Sequence, residues 1–284
     1  MNILIIRNNY SPDAVTASYT LGAFFQSQGI AYAIDESSSS VAAIRETALA
    51  LGGMGRVDMV VVLGGDGSIL KAANAVWEYG VPIFGINFGH LGFLVNDLGE
   101  DGLIQLMAAA LSGDVTVDER ANLQVDFCRA EQVICSRFAL NEVTVARGET
   151  GRIIAFDVVI DGCPLMKLRG DGVVLASATG STAYALSAGG PIVSPSHKGL
   201  VVAPLAAHTL TARAVVTGPS DVVEVLLEDN QDNREASFFV DGELVDMRED
   251  GIDRVVVRRS EYPTKLLRYK DPGFFDLVNA TFFA

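Results

Sequence analysis

The five residues from Gly64 to Ser68, GGDGS, hold the densest chemistry in this chain. They follow the apolar run VDMVVVL and precede a stretch with helical spacing from about Ser68 to Tyr79. Open α/β sheets bind their ligands at such strand-to-helix junctions. Gly64, Gly65 and Gly67 leave no side chain to keep phosphate oxygens away from the backbone. The start of the following helix adds unpaired N–H groups and a positive dipole end. A carboxylate in this anion-friendly turn serves more than phosphate binding. Asp66 can accept a proton from an attacking hydroxyl or orient Mg²⁺, two tasks of phosphoryl transfer.

Two further segments suit a nucleotide. In FALNEVTVA, strand alternation puts Asn141 and Glu142 on opposite faces unless a bulge intervenes. An amide can pair with an adenine edge, and a carboxylate can accept from two ribose hydroxyls. ATGSTAYALSAGG is rich in small residues that let the backbone approach a flat ligand, and Tyr184 could stack on a base. Asp171 lies in a second GDG turn. There is no GxxxxGK[ST], no GxGxxG after a strand and no GxSxG, which excludes a P-loop, the usual dinucleotide fingerprint and a serine-hydrolase elbow. His90, His197 and His208 are scattered without zinc-ligand spacing.

The elements that must position these residues fall into two halves. Up to about residue 113, strand-type runs alternate with helical stripes: Ile3–Ile6, then Ala17, Leu21 and Phe24; Ala31–Ile34, then Val41, Ile44, Ala48 and Leu51 behind a serine cap; Val57–Leu63; VPIFGI; then Leu103, Leu106, Met107 and Leu111. This alternation predicts an α/β N-terminal domain with a mostly parallel sheet. Beyond Asp118, runs such as NLQVDF, IIAFDVVID, GVVLAS, DVVEVLLE and ASFFVDG read as strands, with a helical stretch near Thr182–Ala188. The second domain is therefore β-rich and sandwich-like. The expected domains are 1–115, carrying GGDGS, and 116–284, with the tail from about 258 packing back on the first. Six basic residues between Arg254 and Lys270, against Glu261 alone, suggest that this run packs beside the acidic first half.

Composition narrows the partners. The 284 residues carry 21 basic and 35 acidic side chains, a formal charge of −14, which argues against nucleic acid or an anionic membrane as partner. Mean hydropathy is +0.31, yet the longest uncharged stretch, Gly172 to His197, is full of Gly, Ser, Thr and Pro and would not enter hydrocarbon. MNILIIRNNY has no signal-peptide pattern. Cys128, Cys135 and Cys163 form no CxxC pair, so a reducing, cytoplasmic setting is expected.

GGDGS, INFGHLGFL at 86–94, NEV at 141–143 and GDGVVLASATGSTAYALSAGGPIV at 170–193, in this order, resemble the NAD kinase family, bacterial type. The resemblance runs from the first strand to VDGE at 240–243. GGDG alone is shared with lipid and sphingoid-base kinases, whereas TGSTAY with NE upstream is far more specific. The resemblance implies ATP-dependent phosphorylation of the 2′-hydroxyl of the adenosine ribose of NAD, with Mg²⁺ arriving on the ATP phosphates and no fixed protein metal ligand. It implies an active site between two domains and a cytosolic homodimer or homotetramer. It makes Asp66 the proton acceptor, with Gly67 contacting the dinucleotide and Lys71 able to face a phosphate. Asn141 and Glu142 would hold the adenosine; Arg152, Arg169 and Asp171 would contact ligand. Thr182, Ala183, Tyr184, Ala185, Leu186 and Ser187 would line the nucleotide pocket, with Glu243 where relatives often carry a neutral amide. The chain departs from the family pattern at Ser68, at SATGSTAY, at RNNYSPDA and at AAHTL, without losing a catalytic group.

Overall fold

The computed structural model describes residues 1–89, 92–99, 102–149, 151–228, 236–247 and 251–284. The chain divides into two compact units, Met1–Arg120 with Tyr262–Ala284, and Ala121–Glu261.

The first unit opens with the expected alternation: β1 (Asn2–Arg7), α1 (Pro12–Ser27), β2 (Ala31–Glu36), α2 (Val41–Thr47), β3 (Met59–Gly64), α3 (Asp66–Val76), β4 (Ile83–Asn87), α4 (Gly102–Ser112) and β5 (Thr116–Arg120). Ser11 caps α1 through Ala14 N–H with Pro12 in its first turn, and Ser40 caps α2 through Ala43 N–H. The order β2-β1-β3-β4 is parallel throughout. Every residue of β3 is buried, as a strand covered on both faces must be. One face packs Ile3, Ile5, Val61, Leu63, Phe84 and Ile86 against Leu21 and Phe25 of α1 and Leu106 and Met107 of α4. The sheet is completed from the far end of the chain. A strand at Thr264–Arg268, β18 in chain order, runs parallel to β4 and antiparallel to β5, and a last helix, α6 (Phe274–Phe282), follows it.

The second unit is two antiparallel sheets. Its strands are β6 (Leu123–Arg129), β7 (Gln132–Ala139), β8 (Glu142–Ala146), β9 (Ile154–Ile160), β10 (Cys163–Gly170), β11 (Gly172–Ala176), β12 (Val201–Leu205), β13 (Val215–Val216), β14 (Val223–Leu227), β15 (Ser237–Val240), β16 (Glu243–Val245) and β17 (Arg254–Arg259). They are ordered β10-β9-β14-β17-β6-β7 and β13-β12-β11-β8-β15-β16. Alternate residues of both sheets meet in one core, where Phe127 of β6 and Phe238 of β15 pack edge to face at 5.3 Å. The outer face of β11 and β12 (Val174, Ala176, Val201, Ala203) is covered by Ala185 of α5 (Tyr184–Ser187). Among the described residues, no helix is long and apolar enough to cross a membrane.

The basic run from Arg254 to Lys270 does not act as one block. Arg254 pairs with Glu131 and Glu224, and Arg258 with Asp126, all inside the second unit. Arg268 pairs with Asp271 in the first. Arg254 and Arg258, four residues apart on β17, share one face of that strand, while Arg268 ends β18 in the first unit.

Candidate active site

Asp66 is the first residue of α3, with Gly65 in extended conformation before it. The turn is tight: a Cβ on Gly64 would press on Ser68 and on Asn8, and Phe88 N–H donates to the Gly64 carbonyl. Both oxygens of Asp66 are occupied, Oδ2 by Phe93 N–H at 2.9 Å and Oδ1 by Leu94 N–H at 3.0 Å. Gly92, just before them, has no room for a side chain, because an added Cβ would collide with Asp66 Oδ1. Gly67 is exposed with open space at its Cβ position, so the turn presents bare backbone. Lys71 is half-buried on α3 and, five residues on, lies about 140° around the helix from Asp66. His90 and Leu91 of INFGHLGFL lie outside the described residues.

In the second unit Asn141 stands just ahead of β8, half-buried, and Glu142 begins the strand, buried. What shapes this corner is Asp241, which drew no role from sequence reasoning. β15 and β16 form a hairpin whose two turn residues, Asp241 and Gly242, have φ of 48° and 79°. Asp-Gly is the pair that tolerates such a turn. The Asp241 carboxylate accepts N–H bonds from Leu140 (2.8 Å), Asn141 (2.7 Å) and Glu142 (3.1 Å), while its own N–H donates to the Glu142 carbonyl at 2.9 Å. Burial pushes its carboxyl up to about 6; the three N–H bonds oppose that rise, and the charge of Glu243 adds to it. Glu142 goes further, pushed up to about 8 by burial and then by Asp241. Its Oε2 is buried without a hydrogen-bond partner. The carboxyl thus keeps its proton to higher pH than an ordinary glutamate, so that it can donate as well as accept, and among the described residues one of its oxygens has no partner. The only sequence signal for Asp241 was the Asp-Gly pair between two strand-like runs.

The small-residue segment meets the same corner. Ser177 N–H donates to the Asn141 carbonyl and Ser177 Oγ to that of Leu140. Gly180 packs so closely on Asn141 that a Cβ would overlap its carbonyl oxygen. Thr182 ends a 3₁₀ turn, Gly180–Thr182, and α5 follows. Within it Ala185 is fully buried against the sheet, Ala183 and Leu186 are half-buried, and Tyr184 and Ser187 face solvent. Tyr184 is 46% exposed, which leaves its ring open to a partner.

The remaining predicted residues gather elsewhere. Ala176 pairs with Glu142 at one end of β8, and Gly172 with Ala146 at the other. Four residue steps along a strand span about 13 Å. Asp171, which precedes Gly172, pairs with Arg147 at 3.2 Å. Exposed Arg169 sits opposite Ala155 on β9, close in register to exposed Arg152. Glu243, exposed, instead starts β16 beside the Asp241 turn. The structure therefore joins Asn141, Glu142, the turn from Ser177 to Gly180 and Glu243 at one end of β8, with Asp171 toward the other end of that sheet and Arg152 and Arg169 on the β9–β10 edge of the other sheet. Among the described residues, no three His, Cys, Asp or Glu side chains form a metal-holding group.

Family models described as the ATP-NAD kinase N-terminal and C-terminal domains match residues 7–115 and 140–269. An NAD kinase of Nitrosospira multiformis is 36% identical over 97% of this chain and 93% of its own length. One of Aromatoleum aromaticum is 35% identical over 97% and 91%. Among solved structures, a yeast NADH kinase complexed with NADH matches with TM-score 0.84 at 21% identity, covering 99% of this chain and 87% of that one. An NAD kinase from Archaeoglobus fulgidus in complex with ATP matches with TM-score 0.72 at 23% identity, covering 99% of both. Those two likenesses concern the fold. The matched domains and the relatives that span nearly the whole chain show that this protein is a kinase and belongs to the NAD kinase family.

Proposed function

We propose that the chain transfers the terminal phosphate of ATP to the 2′-hydroxyl of the adenosine ribose of NAD, giving NADP. Asp66 is the proton acceptor. The observation that carries this reading is a carboxylate fixed by two backbone N–H groups at a bare glycine turn and a helix N-terminus. A base held in one geometry, beside dipoles that favour phosphate charge, is what a loose phosphoryl-transfer transition state asks of a protein. Gly67 contributes the backbone approach, and Lys71 a cation to the phosphates.

Asn141 and Glu142 hold the adenosine. The partnerless Oε2 of Glu142 supports this role, because a buried polar atom calls for a partner and a ribose hydroxyl can supply one. Tyr184 stacks on a base, and Thr182, Ala183, Ala185, Leu186 and Ser187 set the shape of the pocket around it. Arg152, Arg169, Asp171 and Glu243 contact ligand from the β-rich half. Mg²⁺ enters as part of the Mg·ATP substrate and, when bound, supplies neutralisation of phosphate charge. The enzyme works in the cytoplasm as a homodimer or homotetramer, which sedimentation of the purified protein checks.

The test is NADP formation from NAD and Mg·ATP, read with an NADP-specific dehydrogenase, for the native chain and Asp66→Asn. Loss of a general base costs about 10²- to 10⁴-fold. A variant with near-native kcat would remove Asp66 from that role.

A further inference from the structure

The two N–H groups on Asp66 belong to a short segment, Gly92–Asn96, and the grip on that segment comes from the C-terminal end of the chain. Asn96 is 4% exposed. Its side-chain amide donates to the Gly85 carbonyl of β4 at 2.8 Å and to the Leu267 carbonyl of β18 at 2.9 Å, while its Oδ1 accepts Tyr269 N–H at 2.9 Å. One side chain thus ties three stretches of backbone. Arg268 is 3% exposed; one terminal nitrogen donates to the Val95 carbonyl at 3.1 Å and the other pairs with Asp271 at 3.2 Å. Phe93 lies against Phe274 and Phe282 of α6, each at 6.0 Å.

Leu94 and Val95 are buried and Phe93 rests on α6, but the segment is not packed on every side. A cavity of about 190 Å³ lies under it, lined among others by Gly92, Val95, Asn96, Arg268, Tyr269 and Leu277. The polar ties across to it are the backbone bonds of Asn96 with Gly85 and Asn87 and the side chains of Asn96 and Arg268, and of these the side chains are open to substitution.

We propose that Asn96 and Arg268 are positioning residues for phosphoryl transfer, holding the Phe93 and Leu94 N–H groups where they aim the Asp66 carboxylate. This rests on the reading of Asp66 as the proton acceptor. Neither residue touches substrate, so their effect falls on kcat. A displacement of about 1 Å at a reacting group costs about 10²-fold in rate.

The test uses the full chain with Asn96→Asp, Arg268→Met and Asp66→Asn, alone and combined. Arg268→Met removes the cation and keeps an unbranched chain of similar length, and it leaves the Asp271 carboxylate, 31% exposed, to be solvated by water. Asn96→Asp keeps the shape and the acceptor for Tyr269 but loses both donated bonds. Each variant is expected to lower kcat at least 10-fold with KM for NAD and ATP within about two-fold of native. Added to Asp66→Asn, each should lower kcat no further, because the group it positions is already gone; residual turnover is read by enzymatic cycling of accumulated NADP. Amide exchange of peptides covering Phe93 and Leu94 should quicken in both variants, with β1 and β3 unchanged. Native kcat in both folded variants, or losses that multiply on top of Asp66→Asn, would overturn the proposal. Should one variant fail to fold, the other and its exchange rates decide. If Asp66→Asn alone keeps native kcat, the reading of Asp66 fails first, and the positioning role with it.

Discussion

Glu142→Gln should abolish a loss of stability that the native protein suffers as pH rises. The folded-state carboxyl is raised from 4.5 to about 8 by burial and by Asp241. Below pH 4.5 both folded and unfolded chains carry the proton, and stability is unaffected. Between 4.5 and about 8 the unfolded chain releases the proton while the folded one keeps it, so stability falls with rising pH, by about 1.4 kcal/mol per pH unit. Above 8 the loss levels off, at about 5 kcal/mol in total. Asp241 titrates in the same direction but only up to about 6. In the window from pH 6.5 to 8 Glu142 contributes about 2 kcal/mol, and the difference between the native chain and Glu142→Gln isolates that contribution. Urea unfolding at pH 6.5, 7.2 and 8.0 measures this. The probe matters, because the single tryptophan, Trp77, lies in the first unit. Its fluorescence reports that unit, whereas far-UV ellipticity of the strands carries the second. The unfolding free energy of the native chain read by ellipticity should fall across the window by about 2 kcal/mol more than that of Glu142→Gln. Equal slopes for the two proteins would refute a neutral, buried Glu142.

Further outcomes follow from the same geometry. Gly180→Ala forces a methyl onto the Asn141 carbonyl oxygen, costing about 1–3 kcal/mol; thermal unfolding should show this together with a raised KM for NAD. Phe127→Ala empties the centre of the sandwich core beside Phe238 and should cost about 3–5 kcal/mol in urea titrations. Tyr184→Ala removes an exposed ring, so Tm should stay within a degree or two of native for a change of less than about 0.5 kcal/mol, while KM for NAD rises in the coupled assay.

Much of this protein was legible from local pattern. The βα alternation of the first half and the strand runs of the second follow from spacings of a few residues, and α2 begins at its serine cap as its sequence implies. GGDGS stands at the end of β3 because glycine and a helix start are both local properties. The Asn141–Glu142 corner and the 180–187 segment were recognisable as motifs, and the hydrogen bonds from Ser177 join them. Alternation alone could not reveal that Glu142 would be buried beside a second carboxyl, since that depends on a hairpin about 100 residues later.

What the sequence by itself determined was the class of each half and the chemistry of its turns, because periodicity, capping and glycine freedom act over one or two turns of chain. The tertiary structure alone decided which of those groups meet. Asp241 closes on Leu140 and Asn141, β18 returns to complete the first sheet, and Arg268 reaches Val95 across 173 residues. The same folding separated Asp171 from Glu142 by the length of a strand. Such pairings are chosen by burial and hydrogen-bond satisfaction over the whole unit, and no short window of sequence contains both partners.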